Sequence, residues 1–282
     1  MTFLYLAITT VCLSLLNILK KQYNTKSKAP NGFLFSALTA LFSCAFFLVR
    51  SGFVLHFEIG VLPYSLGFAA SFAASVLGSF FAIQYGALSI TQLVTSYSLM
   101  IPTLYGIVFL GDQIKILTVF GFAAVLISVF LISGQGGSAR ITPKAAAFLL
   151  LAFVGNGMCS TVQKMQQLAF HGAYKNEFMV FALAICFFIN FIPALFTKKA
   201  RLAETKIAFL PGALAGICNG AVNLLVMVLT ALMPTAILFP SISAGGIAIG
   251  FLVSVFVYKE RLTKRQYVGY SLGILSVILL NL

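Results

Sequence analysis

The sequence predicts an all-α integral membrane protein whose ten transmembrane helices form two inverted five-helix repeats. Three observations lead there. Of the 282 residues, 61% are hydrophobic and only 8% charged, and the mean hydropathy is +1.06. A soluble domain carries about 25% charged residues because its surface must face water, so a chain this poor in charge coats itself with lipid. The apolar residues fall in continuous runs and do not alternate, which selects helices over a β-barrel, the two structures that satisfy every backbone group in hydrocarbon. The two halves of the chain also repeat one another. At about 20 residues per spanning helix, ten helices take about 200 residues. The rest is short connections, with no room for a soluble catalytic or nucleotide-binding domain.

Taken in order, the runs are 2–19 and 33–49, parted by the basic segment KKQYNTKSKAPNG, then 61–85, 91–110 and 116–133, the last two parted by GDQIK. The second half continues with 145–163, 178–196, 207–231, 235–257 and 267–282, with TKKARLAETK and YKERLTKRQ among its breaks. No basic residue precedes the first run and no small-residue cleavage site follows it, so it reads as a retained helix and not a cleavable signal. The segment GQGGSARITPK at 134–144 is the Gly-rich stretch outside the runs. A phosphate-cradling loop needs a fuller glycine-lysine pattern and a strand before it. The segment therefore reads as a flexible linker between repeats 1–133 and 145–282.

The repeat is visible residue by residue. A shift of 148 places Asp112 on Glu260, Ile114 on Leu262, Gly121 on Gly269 and Ser128-Val129 on Ser276-Val277, and a shift near 143 places Lys21 on Lys164 and Asn17 on Ser160. Five is odd, so such halves cross the membrane in opposite senses, a recurrent build for secondary transporters. Charge placement follows the same alternation. The loops after the first, third, fifth, seventh and ninth runs hold 14 Lys and Arg, and the other four loops hold 4. Lysine and arginine favour the cytoplasmic side, and this count alone puts both termini outside.

The segments Gly111-Asp112-Gln113-Ile114 to Gly121, and Lys259-Glu260-Arg261-Leu262 to Gln266 and Gly269, resemble the drug/metabolite transporter superfamily. Its EamA-type members carry a Gly-Glu-Arg/Lys-Leu turn before a Gly-containing last helix in each half. Pro102 after Ala87-Leu88 fits the same pattern. Asp112 stands where the family has glutamate, and Lys259 where it has glycine. The resemblance implies ten helices, metabolite export and cytoplasmic termini, the last opposed to the charge count.

Polar residues inside the runs mark the candidate site. All five acidic residues, Glu58, Asp112, Glu177, Glu204 and Glu260, lie at or beyond run ends. Proton-coupled exchange of cationic drugs uses an intramembrane carboxylate, so the small-multidrug mode is disfavoured. Helix 1 offers Thr10, Ser14, Asn17 and Lys21 on one face. Asn156, Ser160, Gln163 and Lys164 share a face of helix 6 by their spacing. Asn219 and Asn223 lie one turn apart in helix 8. Helix 4 adds Gln92, Thr95 and Ser96, and helix 9 adds Ser241 and Ser243 beside Pro240. The candidate substrate-binding set is Asn17, Gln92, Asn156, Ser160, Gln163, Lys164, Asn219 and Asn223, with Pro240, Gly245 and Gly246 as the candidate gating segment.

Plainer roles are weighed beside these. Ser71, Ser75 and Ser79 read first as packing residues, and Gly212, Gly216 and Gly220 as a close-packing ridge. Lys21 and Lys164 near run ends read first as snorkelling to the interface, and Pro240 as a static kink. Tyr97 and Tyr105 read as packing, and the 29 Phe largely as lipid-facing bulk. Cys12, Cys44, Cys159, Cys186 and Cys218 lie in apolar runs without metal spacing, and behave as small hydrophobes. His56 and His171 have no partner in the sequence pattern. No nucleophile-base pair is visible, so the chain is not read as an enzyme, and no cofactor or metal is expected.

The expected function is secondary transport of a small polar metabolite, an amino acid or similar, by alternating access across a bacterial cytoplasmic membrane, with export favoured. Uptake of a sugar or organic acid is the alternative, and a non-transporting membrane scaffold the contrasting class. Expected partners are the substrate and the lipid bilayer, with no nucleic acid. Nothing in the pattern names a coupling ion or separates a monomer from a homodimer.

Overall fold

The computed structural model describes residues 2–56, 58–98, 100–111, 116–132, 142–197, 202–232, 235–259 and 262–281, and no strand occurs among them. Eleven α-helices follow in chain order: α1 (Thr2–Lys26), α2 (Gly32–Arg50), α3 (Leu62–Tyr85), α4 (Leu88–Tyr97), α5 (Met100–Leu110), α6 (Ile116–Ile132), α7 (Pro143–Ala169), α8 (Lys175–Phe196), α9 (Leu202–Leu232), α10 (Thr235–Leu252) and α11 (Lys264–Asn281). A 3₁₀ turn, Ile59–Val61, leads into α3, and a π turn, Val253–Val257, prolongs α10. Seven segments among the described residues are long and apolar enough to cross a membrane: α1, α2, α3 with its leading turn, α4 and α5 together, α7, α8 and α9. The remaining helices, α6, α10 and α11, have 17, 18 and 18 residues. The chain is a multi-pass helical membrane protein.

Two helices outrun the hydropathy signal. α1 continues past residue 19 to Lys26, and α7 past 163 to Ala169. A run ends in a hydropathy profile where polar residues begin, but here Lys20, Gln163 and Gln166 are buried. Their faces turn inward, so the polar end of each helix belongs to the interior. Helix starts follow ordinary capping. Leu34 N–H donates to Asn31 Oδ1 at 3.2 Å, and Ala145 N–H donates to Thr142 Oγ1 at 3.2 Å ahead of Pro143.

The expected fourth helix is two helices. α4 stops at Tyr97 and α5 starts at Met100. Pro102 has no N–H to donate to the Ser98 carbonyl. The chain there takes shorter-range bonds instead, Ser98 N–H to Thr95 O at 3.3 Å and Ile101 N–H to Ser98 O at 3.0 Å.

Packing places the centre. α3 lies against α7, α6 against α11, α2 against both α8 and α9, and α1 against α9 and α10, while α4 leans on α10. Close approach is set by glycine. Gly212, Gly216 and Gly220 form the expected ridge and face Leu38, Phe42 and Phe46 of α2. A Cβ on Gly155 would stand 2.5 Å from the Ser75 nitrogen, and one on Gly78 would stand 2.6 Å from the Ala152 nitrogen, so α3 and α7 meet backbone to backbone. Phenylalanine serves both surfaces. Phe3 and Phe196 are exposed on the apolar exterior, but Phe35, Phe47, Phe68, Phe80 and Phe178 are fully buried. The reading of Phe as lipid-facing bulk is corrected there: a chain this apolar fills its core with the same residues that meet lipid. All five cysteines are free thiols. Asp112, Glu260, most of the linker 134–144, and Lys198, Lys199 and Arg201 lie outside the described residues.

Candidate functional site

α1, α3, α4, α7, α9 and α10 line a cavity of about 130 Å³. Seven of the eight residues singled out from the sequence line it: Asn17, Gln92, Asn156, Ser160, Gln163, Asn219 and Asn223. The eighth, Lys164, does not. It lies on a second cavity of about 380 Å³, with Gln167, His171 and Lys175. Ser160, Gln163, Val226 and Phe239 line both spaces, so the two cavities adjoin across these residues.

The α7 and α9 amides have defined partners. Asn156 Nδ2 donates to Ser98 Oγ at 2.6 Å and to Thr95 O at 3.3 Å, so α7 satisfies the polar groups at the interruption between α4 and α5. Irregular backbone at membrane depth is tolerated only with such help. Gln163 Nε2 donates to Asn223 Oδ1 at 2.8 Å, and Asn223 Nδ2 donates to Asn219 O at 2.8 Å. Asn219 Nδ2 donates to Ser43 Oγ at 3.0 Å, and that hydroxyl donates to Gly216 O at 2.7 Å. Asn219 thus also ties α9 to α2. Ser160 Oγ donates to Asn156 O at 3.5 Å. Ser243 Oγ donates to Ser96 O at 2.7 Å, joining α10 to α4 across the cavity wall. Gln92 is 3% exposed, and its Oε1, like Ser14 Oγ, lines the cavity without a hydrogen-bond partner among the described residues.

Lys20 is the residue that sequence reasoning missed. It is 4% exposed, and its Nζ donates to Ser79 Oγ at 2.6 Å and Asn17 Oδ1 at 3.5 Å. The lysine expected on this face was Lys21, whose Nζ instead lies 5.8 Å from the centroid of the Tyr258 ring. Positions i+3 and i+4 from Asn17 share a helix face almost equally, so spacing alone does not separate the two lysines. Ser75 and Ser79, read as packing residues, also line the cavity.

The gating segment is less uniform than its sequence suggests. Pro240 lies within α10, which runs unbroken from Thr235 to Leu252. Gly245 is a packing point, since a Cβ there would collide with Thr10 of α1, whereas Gly246 lines the cavity and faces Ser96 Oγ. Tyr97 packs outside the cavity, hydrogen-bonding Ser128 Oγ at 2.9 Å. No group of three or more His, Cys, Asp or Glu among the described residues is arranged to hold a metal.

No known family model matches the chain, and no curated protein does. A protein crystal structure aligns with 99% of this chain and 98% of its own, at 15% identity and a TM-score of 0.69. At that identity the likeness establishes a shared fold over the full length of both chains, and nothing about activity.

Proposed function

We propose that the protein is a secondary transporter of the drug/metabolite type, moving a small polar metabolite of amino-acid size across the cytoplasmic membrane by alternating access between two inverted five-helix halves. The observation that supports this reading is a cavity lined by many polar side chains at the meeting point of six apolar helices, beside a second cavity that shares part of its wall. Counting α4 and α5 as one span, the cavity walls are the first, third and fourth spans of each half. Packing partners also exchange under a five-span shift: α3 on α7 answers α1 on α9, and α2 on α9 answers α3 on α8. Gly111 and Lys259, repeat mates by the 148-residue shift, both hold positive φ, +73° and +52°. Each observation supports an inverted repeat with its substrate site where the halves meet.

Size favours a small substrate. A cavity of about 150 Å³ admits a six-carbon ring, so about 130 Å³ suits a molecule of roughly six heavy atoms, such as a small amino or hydroxy acid. Export is the direction that the resemblance favours. The test is counterflow into liposomes holding the purified protein and preloaded with unlabelled serine or lactate. Labelled substrate should accumulate transiently, and Gln92→Leu should abolish that accumulation without loss of the folded protein. Absence of exchange across a panel of small amino and hydroxy acids would refute the reading.

A further inference from the structure

Lys20 brings a charge into a cavity whose other polar groups are neutral. No Asp or Glu is among the described residues lining it. The ammonium has three N–H donors, and Asn17 and Ser79 accept two of them through uncharged oxygens. Neutral acceptors leave a buried charge uncompensated, and such groups in membrane helices mark substrate or ion paths.

The second half makes the same contact without the charge. A shift of 143 puts Lys20 on Gln163, and one of 144 puts Ser79 on Asn223. Lys20 reaches from α1 to α3, and Gln163 reaches from α7 to α9 at 2.8 Å. An amide therefore suffices to tie these helices together, so the ammonium at position 20 serves more than packing. The adjoining cavity continues the pattern, with Lys164, His171 and Lys175 on its wall and no acidic residue among the described residues there. Walls of one sign raise the local concentration of the opposite ion.

We propose that the cavity takes a small anion or zwitterion whose carboxylate or phosphate oxygens lie on Lys20. Gln92 and Ser14 line the same space, and their Oε1 and Oγ are buried without a hydrogen-bond partner among the described residues. A quaternary or simple amine cation finds no carboxylate among the described residues lining this site. The proposal rests on the transporter reading and narrows it to anionic oxygen chemistry.

The test uses the purified full-length protein and its Lys20→Met, Lys20→Gln and Lys20→Arg variants, with lactate, serine, inorganic phosphate and choline as probes in a binding titration followed by thermal stability. The wild type should bind an anionic or zwitterionic probe and not choline. Lactate and serine against phosphate identifies the group. Lys20→Met should weaken that probe about 10- to 100-fold, the range of a hydrogen bond to a charged group, with Arg recovering part of the loss. Lys20→Gln reproduces the chemistry of the second half and replaces Met if Met does not fold. Equal affinity in the uncharged variants, binding confined to choline, or no binding of any probe overturns the proposal. Counterflow separates it from the transporter reading. Exchange that survives Lys20→Met with unchanged half-saturation retires the anion site alone, and Lys20-dependent binding without exchange retires transport alone.

Discussion

The Gln163–Asn223 hydrogen bond joins α7 to α9 at the cavity wall, and its removal has a calculable size. Both side chains are buried, and the bond is 2.8 Å long. Interhelical side-chain bonds in membrane proteins contribute about 0.6 kcal/mol on average and about 1.7 at most. Truncating one partner also strands the other, at about 1–3 kcal/mol for a dry site. Both residues line a cavity in this protein, and a polar cavity of that size admits water, so the lower end applies. Gln163→Leu is therefore expected to cost about 1 kcal/mol. Asn223→Leu should cost somewhat more, because Asn223 Nδ2 also donates to Asn219 O. In the double variant the second change strands nothing, so the combined cost should fall short of the sum by about 0.6–1.7 kcal/mol. Unfolding by SDS titration in mixed micelles measures all three. Additivity within about 0.3 kcal/mol would show that the two amides act independently, and the paired wall proposed for the second half would fail with it.

Further predictions follow from the backbone contacts and the charge pattern. Gly155→Ala should destabilise by about 1–3 kcal/mol through overpacking, because its Cβ would press on the Ser75 nitrogen. Gly246→Ala, which meets only Ser96 Oγ at 3.1 Å, should fold normally and reduce transport by narrowing the cavity. Equal thermal losses in the two variants would contradict this assignment. Lys259 sits at φ +52°, where a side chain costs about 1–2 kcal/mol relative to glycine. Lys259→Gly should raise the melting temperature, and a lower one would mean that the lysine side chain contributes more than the backbone loses. Single cysteines at Thr197 and Thr263 in a cysteine-free background should both resist impermeant maleimide in intact cells if the basic loops are cytoplasmic. Labelling of both reverses the orientation, and labelling of one alone contradicts the inverted repeat.

Much of the site is legible because hydrocarbon makes polar residues informative. An amide inside an apolar run needs a partner, and the partners of Asn156, Gln163, Asn219 and Asn223 lie where helices converge. Their positions in the sequence therefore point to the interior before any coordinates do. The Gly212-Gly216-Gly220 ridge was legible for the related reason that close approach admits no Cβ. What escaped was set by geometry finer than a helix period. The choice between Lys20 and Lys21 is a matter of about 100° of rotation, and run boundaries do not define it. The interruption after Tyr97 depends on which carbonyl loses its donor to Pro102, and on a side chain from another helix that meets the Ser98 hydroxyl, a contact 58 residues distant in sequence. Glycine is similarly mute about its neighbour: Gly245 and Gly246 are adjacent, yet one abuts α1 and the other faces the cavity. The pairing of Lys20 with Gln163 is hidden for a different reason. A residue comparison scores lysine against glutamine as a mismatch and discards the position. Their equivalence under the proposed repeat lies in the job each does, since Lys20 donates from α1 to α3 and Gln163 from α7 to α9. Where two halves share a contact but differ in charge, that difference is where a symmetric scaffold acquires a polarity for its substrate.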